Sequence, residues 1–185
     1  MEIHLIRHPR VAIDPQLCYG HSDVPLAEPA EEAAERLRPW LPERFRLFSS
    51  PSSRALALAQ VLGQPILDER LKEMHFGQWE LQPFESLGEA LELWAKNPFG
   101  FQPPGGESAA EMAIRVLEWW QETRERHQDE EAIVIVAHGG PLRVLAGHLL
   151  GLPRERWLSL DFGCAQATRI DLEPWGSMLR WFNRT

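Results

Sequence analysis

Cysteine is nearly missing: Cys18 and Cys164 are the only two in 185 residues, far apart and outside any C-x-x-C or metal-ligand spacing. A disulfide framework and a cysteine-based zinc site are excluded on that count, no metal is called for, and both thiols are expected to be reduced. Tyrosine occurs once, at Tyr19, and asparagine twice, at Asn97 and Asn183. Lysine occurs only at Lys72 and Lys96, so 17 of the 19 basic residues are arginine, a bias found in heat-adapted or GC-rich proteomes without being diagnostic of either. Positive charge is in deficit, 19 Lys+Arg against 27 Asp+Glu, for a net charge of -8. Nucleic acid and anionic membrane both call for a basic footprint, so neither is expected as a partner, although a local basic pocket remains allowed. No apolar run reaches membrane-spanning length, and Glu2 to Arg7 opens the chain as a strand without a signal-peptide pattern, which makes the cytoplasm the expected location. What is present in quantity is apolar side chain: 44% of residues, eight of them tryptophan, enough for one core and hence a single domain over residues 1–185.

Residues 2–7 read as a strand, followed by a Pro- and Gly-punctuated loop to about Pro29. Ala30 to Leu41 is made of helix formers, with Pro39 ending or kinking the helix early. Phe45 to Phe48 reads as a second strand, and Ser49-Ser50-Pro51 as a cap before a helix over Arg54 to Leu62. A short strand near Leu67 to Leu71, a helix from Phe84 to Lys96 and a loop over 100–106 follow. Ser108 with Glu111 then makes a capping box that opens a long helix to about His127, whose buried stripe is Met112, Val116, Trp119, Trp120 and Thr123. Ala132 to Ala137 is a continuous apolar run suited to a strand buried on both faces, and a helix from Pro141 to Leu150 follows it. Segments at 157–162, 165–172 and 178–182 read as closing strands, the last two as a hairpin around Pro174-Trp175-Gly176. The alternation predicts an α/β fold with a largely parallel, helix-covered sheet.

Three strand-to-helix junctions carry candidate functional residues: Arg7-His8, Ser49 to Arg54, and His138-Gly139-Gly140. In a parallel sheet all three open at the carboxyl edge, where such sheets place ligands. Taken singly, His8 is an ordinary strand-end histidine, Arg54 a solvated helix residue, and Gly139-Gly140 a tight turn. Together, two arginines, two imidazoles and two helix N-termini make a site for an anion, a phosphoryl group being the natural one.

Leu5-Ile6-Arg7-His8, Ser49-Ser50-Pro51-Ser52-Ser53-Arg54, the run Leu71 to Glu80 and Val136-Ala137-His138-Gly139-Gly140, in that order, resemble the histidine phosphatase, or phosphoglycerate mutase-like, superfamily. The resemblance implies a three-layer α/β/α sandwich with a mostly parallel central sheet. It implies His8 as nucleophile, Arg7, Arg54, His138 and the turn at Gly139 as phosphate holders, and Glu73 as proton donor. Glu80 competes for that last role. No cofactor is implied, since arginine forks and a second imidazole supply fixed donors for the transferring charge. Glu107 and Ser108, in Gly-Gly-Glu-Ser, also match the phosphatase branch, although Ser108 already has work as a cap. His4 is expected to be packed, and His75 to line the pocket mouth.

The chain departs from the family where Pro9 replaces the glycine that usually follows the nucleophile, and where Val11 and Asp14 stand at positions commonly Thr and Asn. The loop Cys18 to Leu26 is similar to that of the α-ribazole phosphatase branch, implying α-ribazole 5′-phosphate as substrate and Tyr19 and His21 as substrate contacts. The alternatives are a broad-specificity phosphatase of small phosphomonoesters, a phosphoglycerate mutase, for which little room exists between Glu80 and Gly105, and an inactive phospho-ligand binding module, suggested by Pro9 and by the altered positions Val11 and Asp14. The C-terminal strands also offer an edge at which a homodimer would form.

Overall fold

In the computed structural model, which describes residues 1–185, β1 (Glu2–Arg7), β2 (Arg46–Ser49), β3 (Ile66–Leu67), β4 (Ala132–Ala137), β5 (Ala167–Glu173) and β6 (Gly176–Arg184) form one sheet in the order β3-β2-β4-β1-β5-β6. The first four in that order are mutually parallel, while β5 runs antiparallel to β1 and β6 antiparallel to β5. The expected hairpin thus closes the sheet, and the architecture is α/β, a mostly parallel sheet with helices packed on both faces.

Every residue of β4 is buried, and its side chains alternate between two cores. Ile133, Ile135 and Ala137 join Ile3 and Leu5 against Met112, Val116 and Trp119 of α4 (Ala109–Arg126) and Leu142 and Leu145 of α5 (Gly139–Leu149). Val134 and Val136 join Ile6 and Leu47 against α1 (Ala30–Leu37) and α2 (Ser53–Leu62). Helix α1 buries Ala30, Ala33, Ala34 and Leu37, the i, i+3, i+4, i+7 stripe that a helix needs to lie on a sheet. Each fully buried Leu or Ile contributes about 1.5–3 kcal/mol through water exclusion, so the two faces hold the central strands rigid. No helix is long and apolar enough to cross a membrane.

Four expectations need correction. The segment expected as a strand at 157–162 is a 3₁₀ helix over Arg154–Ser159 and then irregular chain: Trp157 is pressed against α5 at Gly147, where an added Cβ would lie 2.2 Å from the indole. The short strand is Ile66–Leu67, and 3₁₀ geometry over Glu69–Leu71 follows it. The helix expected over 84–96 is broken at Gly88 (φ 50°) into a 3₁₀ turn and α3 (Glu89–Lys96), which buries no residue. Helix α2 starts at Ser53, with Ser52 as a cap that makes no side-chain capping bond and Pro51 outside it; the Ser50 hydroxyl accepts from the Ser52 amide at 3.3 Å and lies 2.8 Å from His138 Nε2.

Candidate active site

Strand register builds the site. Arg7 lies opposite Ala137 and Ser49 opposite Val136, so β1, β2 and β4 end side by side. The ladder carries one residue further: the His8 amide donates to the Ala137 carbonyl, and the Ser50 amide to that of Val136, each at 3.0 Å. His8, Ser50 and His138 therefore leave the same edge together, with the two imidazole centroids 5.1 Å apart.

The His8 ring is 2% exposed, and its Nδ1 lies 2.7 Å from the Pro9 carbonyl. A carbonyl only accepts, so Nδ1 carries the proton and Nε2 holds a free lone pair. Nε2 makes no hydrogen bond and is not sealed from solvent. Burial, seconded by the Arg54 and Arg7 charges and opposed by the bond to Pro9, pulls the His8 pKa down to about 3. The ring is neutral at neutral pH. His138, fully buried, shares a 2.8 Å hydrogen bond with the Ser50 hydroxyl, and burial, followed by the nearby His8 and Arg54, pushes it well below the usual imidazole value.

Arg7 Nη1 donates to the Phe162 carbonyl at 2.8 Å. Arg54, 1% exposed, donates from Nη1 to the Ser22 carbonyl and from Nη2 to that of Gly20, with its guanidinium 5.4 Å from the Tyr19 ring centroid. Arg7 Nε, Arg54 Nε and His138 Nδ1 are buried without partners. Unpaired buried donors on two cations are costly in isolation, and an anion at the N-terminus of α5 is the partner that would relieve them.

Glu73 reaches the same helix N-terminus. Its carboxylate accepts from the Gly140 amide at 3.1 and 3.2 Å and from the Met74 amide at 2.9 Å. A Cβ on Gly139 would lie 3.7 Å from both Arg7 Cζ and Glu73 Oε2, so the carboxylate and the guanidinium flank the same turn. Glu80 is elsewhere occupied. It accepts from the amides of Gly20, His21, Ser22 and Phe76 and from the Ser22 hydroxyl, at 2.6–3.0 Å. Burial works against its ionisation, but these bonds outweigh burial and hold its carboxyl at about 2.

Among the sequence-predicted residues, Arg7, His8, Tyr19, Arg54, Glu73, His138 and Gly139 meet at this edge. His21 is outermost, exposed and 4.6 Å from the His75 ring, near enough to lower His138. His4 is buried and bonded to Glu2. Two contributors escaped sequence reasoning. Ser50, treated as a cap, serves His138, and the Pro9 carbonyl, in a residue noted only for its missing N–H, sets the His8 tautomer.

The model of the histidine phosphatase superfamily (branch 1) matches residues 3–185. The chain belongs to that superfamily. Among similar proteins, a glucosyl-3-phosphoglycerate phosphatase of Mycolicibacterium vanbaalenii is 33% identical over 170 residues, 83% of this chain and 75% of that one. A phosphoserine phosphatase of Hydrogenobacter thermophilus is 29% identical over 180 residues, 91% and 84% of the two chains. The crystal structure of an α-ribazole phosphatase from Shigella flexneri superposes with a TM-score of 0.89 at 27% identity, covering 99% of this chain and 96% of that one. Phosphatase or mutase chemistry is therefore the class of activity of this superfamily member.

Proposed function

We propose that this histidine phosphatase hydrolyses phosphomonoesters through a phosphohistidine on His8. The observation that carries this reading is the His8 ring itself, neutral, with its proton fixed on Nδ1 by the Pro9 carbonyl and Nε2 open beside Arg7, Arg54 and His138. A neutral imidazole held this way is a ready nucleophile, and a covalent route divides one hard displacement into two easier ones. Nε2 attacks phosphorus in line, the N–P bond forming as the P–O bond to the alcohol breaks. Arg7, Arg54, His138 and the Gly139 amide hold the phosphoryl oxygens, and Glu73, protonated, gives its proton to the departing oxygen. Water then loses a proton to the Glu73 carboxylate and attacks phosphorus; the N–P bond breaks, phosphate leaves, and His8 and Glu73 are restored. The chemistry assigned to these residues needs no metal.

The substrate in this proposal is α-ribazole 5′-phosphate, a step in cobalamin nucleotide-loop assembly. Its alcohol carries a flat heteroaromatic base. Beside Glu73 and Gly140 lies a cavity of about 590 Å³ walled by Phe76, Trp94, Phe99, Met112 and Trp157, with Arg143 and Arg154 also lining it. An alcohol protonated by Glu73 projects toward that cavity, and aromatic walls suit a flat ring better than the small charged bodies of phosphoserine or phosphoglycerate. Tyr19, whose ring centroid lies 5.4 Å from the Arg54 guanidinium, and His21, beside the His75 ring, are the further substrate contacts of this proposal. The likeness to the Shigella flexneri enzyme supports the same choice.

The test is phosphate release, in EDTA, from α-ribazole 5′-phosphate, phosphoserine, glucosyl-3-phosphoglycerate, 3-phosphoglycerate and nucleotide monophosphates, by wild type and His8→Ala. The expected result is a preference for α-ribazole 5′-phosphate of roughly tenfold or more in kcat/KM, abolished in His8→Ala, with an acid-labile phosphoenzyme in wild type. Equal turnover of many esters retires the substrate and leaves a broad-specificity phosphatase. Interconversion of phosphoglycerates without phosphate release indicates a mutase, and no release that depends on His8 indicates a binding module.

A further inference from the structure

The Glu73 carboxylate is well placed, but nothing regular holds its backbone. Residues 72–76 lie between the 3₁₀ turns Glu69–Leu71 and Gly77–Trp79, with no strand or α-helix ladder of their own. A general acid must keep its proton within hydrogen-bond reach of the departing oxygen, and an error of about 1 Å costs on the order of a hundredfold. Something must therefore fix this loop.

Leu71 and Met74 anchor this stretch in the core, and one side chain of α4 holds its carbonyls. Arg115 Nη1 donates to the carbonyls of Arg70 at 2.6 Å and Lys72 at 2.9 Å. Its Nη2 donates to the Glu73 carbonyl at 3.0 Å and to Glu107 Oε1 at 2.6 Å, and its Nε to Glu107 Oε2 at 3.0 Å. All five donors of the guanidinium are thereby used. Glu107 completes the bracket: its Oε1 accepts from the His75 amide at 2.9 Å, and its own amide donates to the His75 carbonyl at 2.8 Å. The pair is only 20% and 18% exposed, so water competes weakly for these bonds.

We infer that Arg115, oriented by Glu107, is the positioning residue for the proton donor, holding the Glu73 loop so that the carboxylate stays on the Gly140 amide. This rests on Glu73 being the acid of the proposed reaction. Arg115 touches neither substrate nor phosphoryl group; its effect passes through the backbone of residues 70–75. Helix α4 is a rigid reference for that task, with its N-terminus closed by a capping box and Met112, Val116 and Trp119 in the core. A lysine at 115 would keep the charge and lose the planar fork, so it would not reach three carbonyls and a carboxylate together.

Leaving-group dependence separates positioning of an acid from general structural support. p-Nitrophenyl phosphate expels a stable phenoxide that needs little protonation, whereas an alkyl phosphate expels an alkoxide that needs it fully. We would measure kcat/KM on both esters for wild type, Glu73→Gln, Arg115→Lys, Glu107→Gln and the Arg115→Lys/Glu73→Gln double variant. Glu73→Gln should lower the alkyl ester rate by about 10²–10³ and the nitrophenyl rate by less than about tenfold, as loss of a general acid does. Arg115→Lys and Glu107→Gln should show the same skew, about tenfold or more on the alkyl ester against less than about threefold on the other. The double variant should be no slower than Glu73→Gln alone, since both changes remove one function. Equal losses on the two esters, or no loss on either, in both Arg115→Lys and Glu107→Gln would overturn the inference while leaving Glu73 as the acid. If Glu73→Gln itself treats both esters alike, the acid assignment fails first and this inference with it. Should Arg115→Lys not fold, the isosteric Glu107→Gln alone decides.

Discussion

Two carboxylates seven residues apart illustrate how environment, not residue type, assigns a role. Glu80 is saturated with donors from the Gly20–Ser22 loop and Phe76, is held ionised, and so has no proton to give at neutral pH. Glu73 stands instead at the N-terminus of α5, on the Gly140 amide and near the Arg7 guanidinium. Its seat depends on Gly140 lacking a side chain: a Cβ there would lie 2.2 Å from Glu73 Oε1 and 2.8 Å from Met112 Sδ. Both obstructing atoms are at or near the ends of flexible side chains, so Gly140→Ala should lower stability little while swinging the carboxylate away. We expect kcat/KM to fall by about tenfold or more with the thermal midpoint within a few degrees of wild type; a normal rate would show that the carboxylate's place is not critical. Pro9, a departure from the family pattern, takes nothing from the site, since the group used is its carbonyl.

At the scale of elements, what was legible followed from periodicity and caps. The stripe Met112, Val116, Trp119, Trp120 and Thr123 is buried, and the Ser108–Glu111 box is closed in both directions, the hydroxyl accepting at 3.2 Å and the carboxylate accepting from the Ser108 amide at 2.7 Å. That cap is a sufficient explanation of Ser108. Ser108→Ala should therefore destabilise the protein by about 1 kcal/mol in denaturant unfolding and leave kcat/KM unchanged; a rate loss without a stability loss would place Ser108 on the substrate instead. Elements whose form is set by distant partners were not legible. The apolar run at 157–162 has the look of a strand, but Trp157 packs on Gly147 and the following carbonyls are taken by arginines, Leu160 by Arg143 and Phe162 by Arg7. Helix 84–96 breaks at Gly88 because the positive φ there ends one turn and starts another, and because no core face demands continuity.

On the scale of the whole molecule, a core that keeps three histidines neutral makes folding sensitive to acid. His4, His8 and His138 all lie below the free imidazole value, burial being the chief cause for each. In the unfolded chain they take up protons near pH 6.5, while the folded protein resists protonation, at His8 down to about 3. Their contribution is therefore complete above pH 6.5 and is lost as the pH falls below it. Each such histidine removes about 1.4 kcal/mol per pH unit across the window between its two pKa values. Urea midpoints should be flat from pH 8 to 7 and fall steeply below pH 6. His8→Asn should flatten the slope, and an unchanged slope would show that His8 is not held neutral.

Motif order, the strand and helix periods and the capping box are local properties, and they determined by themselves the family, the α/β class and the list of polar residues at three junctions. Only the tertiary structure decided that those junctions share one edge, because parallel register sets Arg7 opposite Ala137 and Ser49 opposite Val136. It also decided which carboxylate stands at the N-terminus of α5, what Ser50 bonds, and that Arg115, 42 residues from Glu73, grips its loop. Hydrogen-bond partners so distant in sequence leave no periodic trace, since their spacing is set by how two faces of a sheet are covered and not by the repeat of any one element.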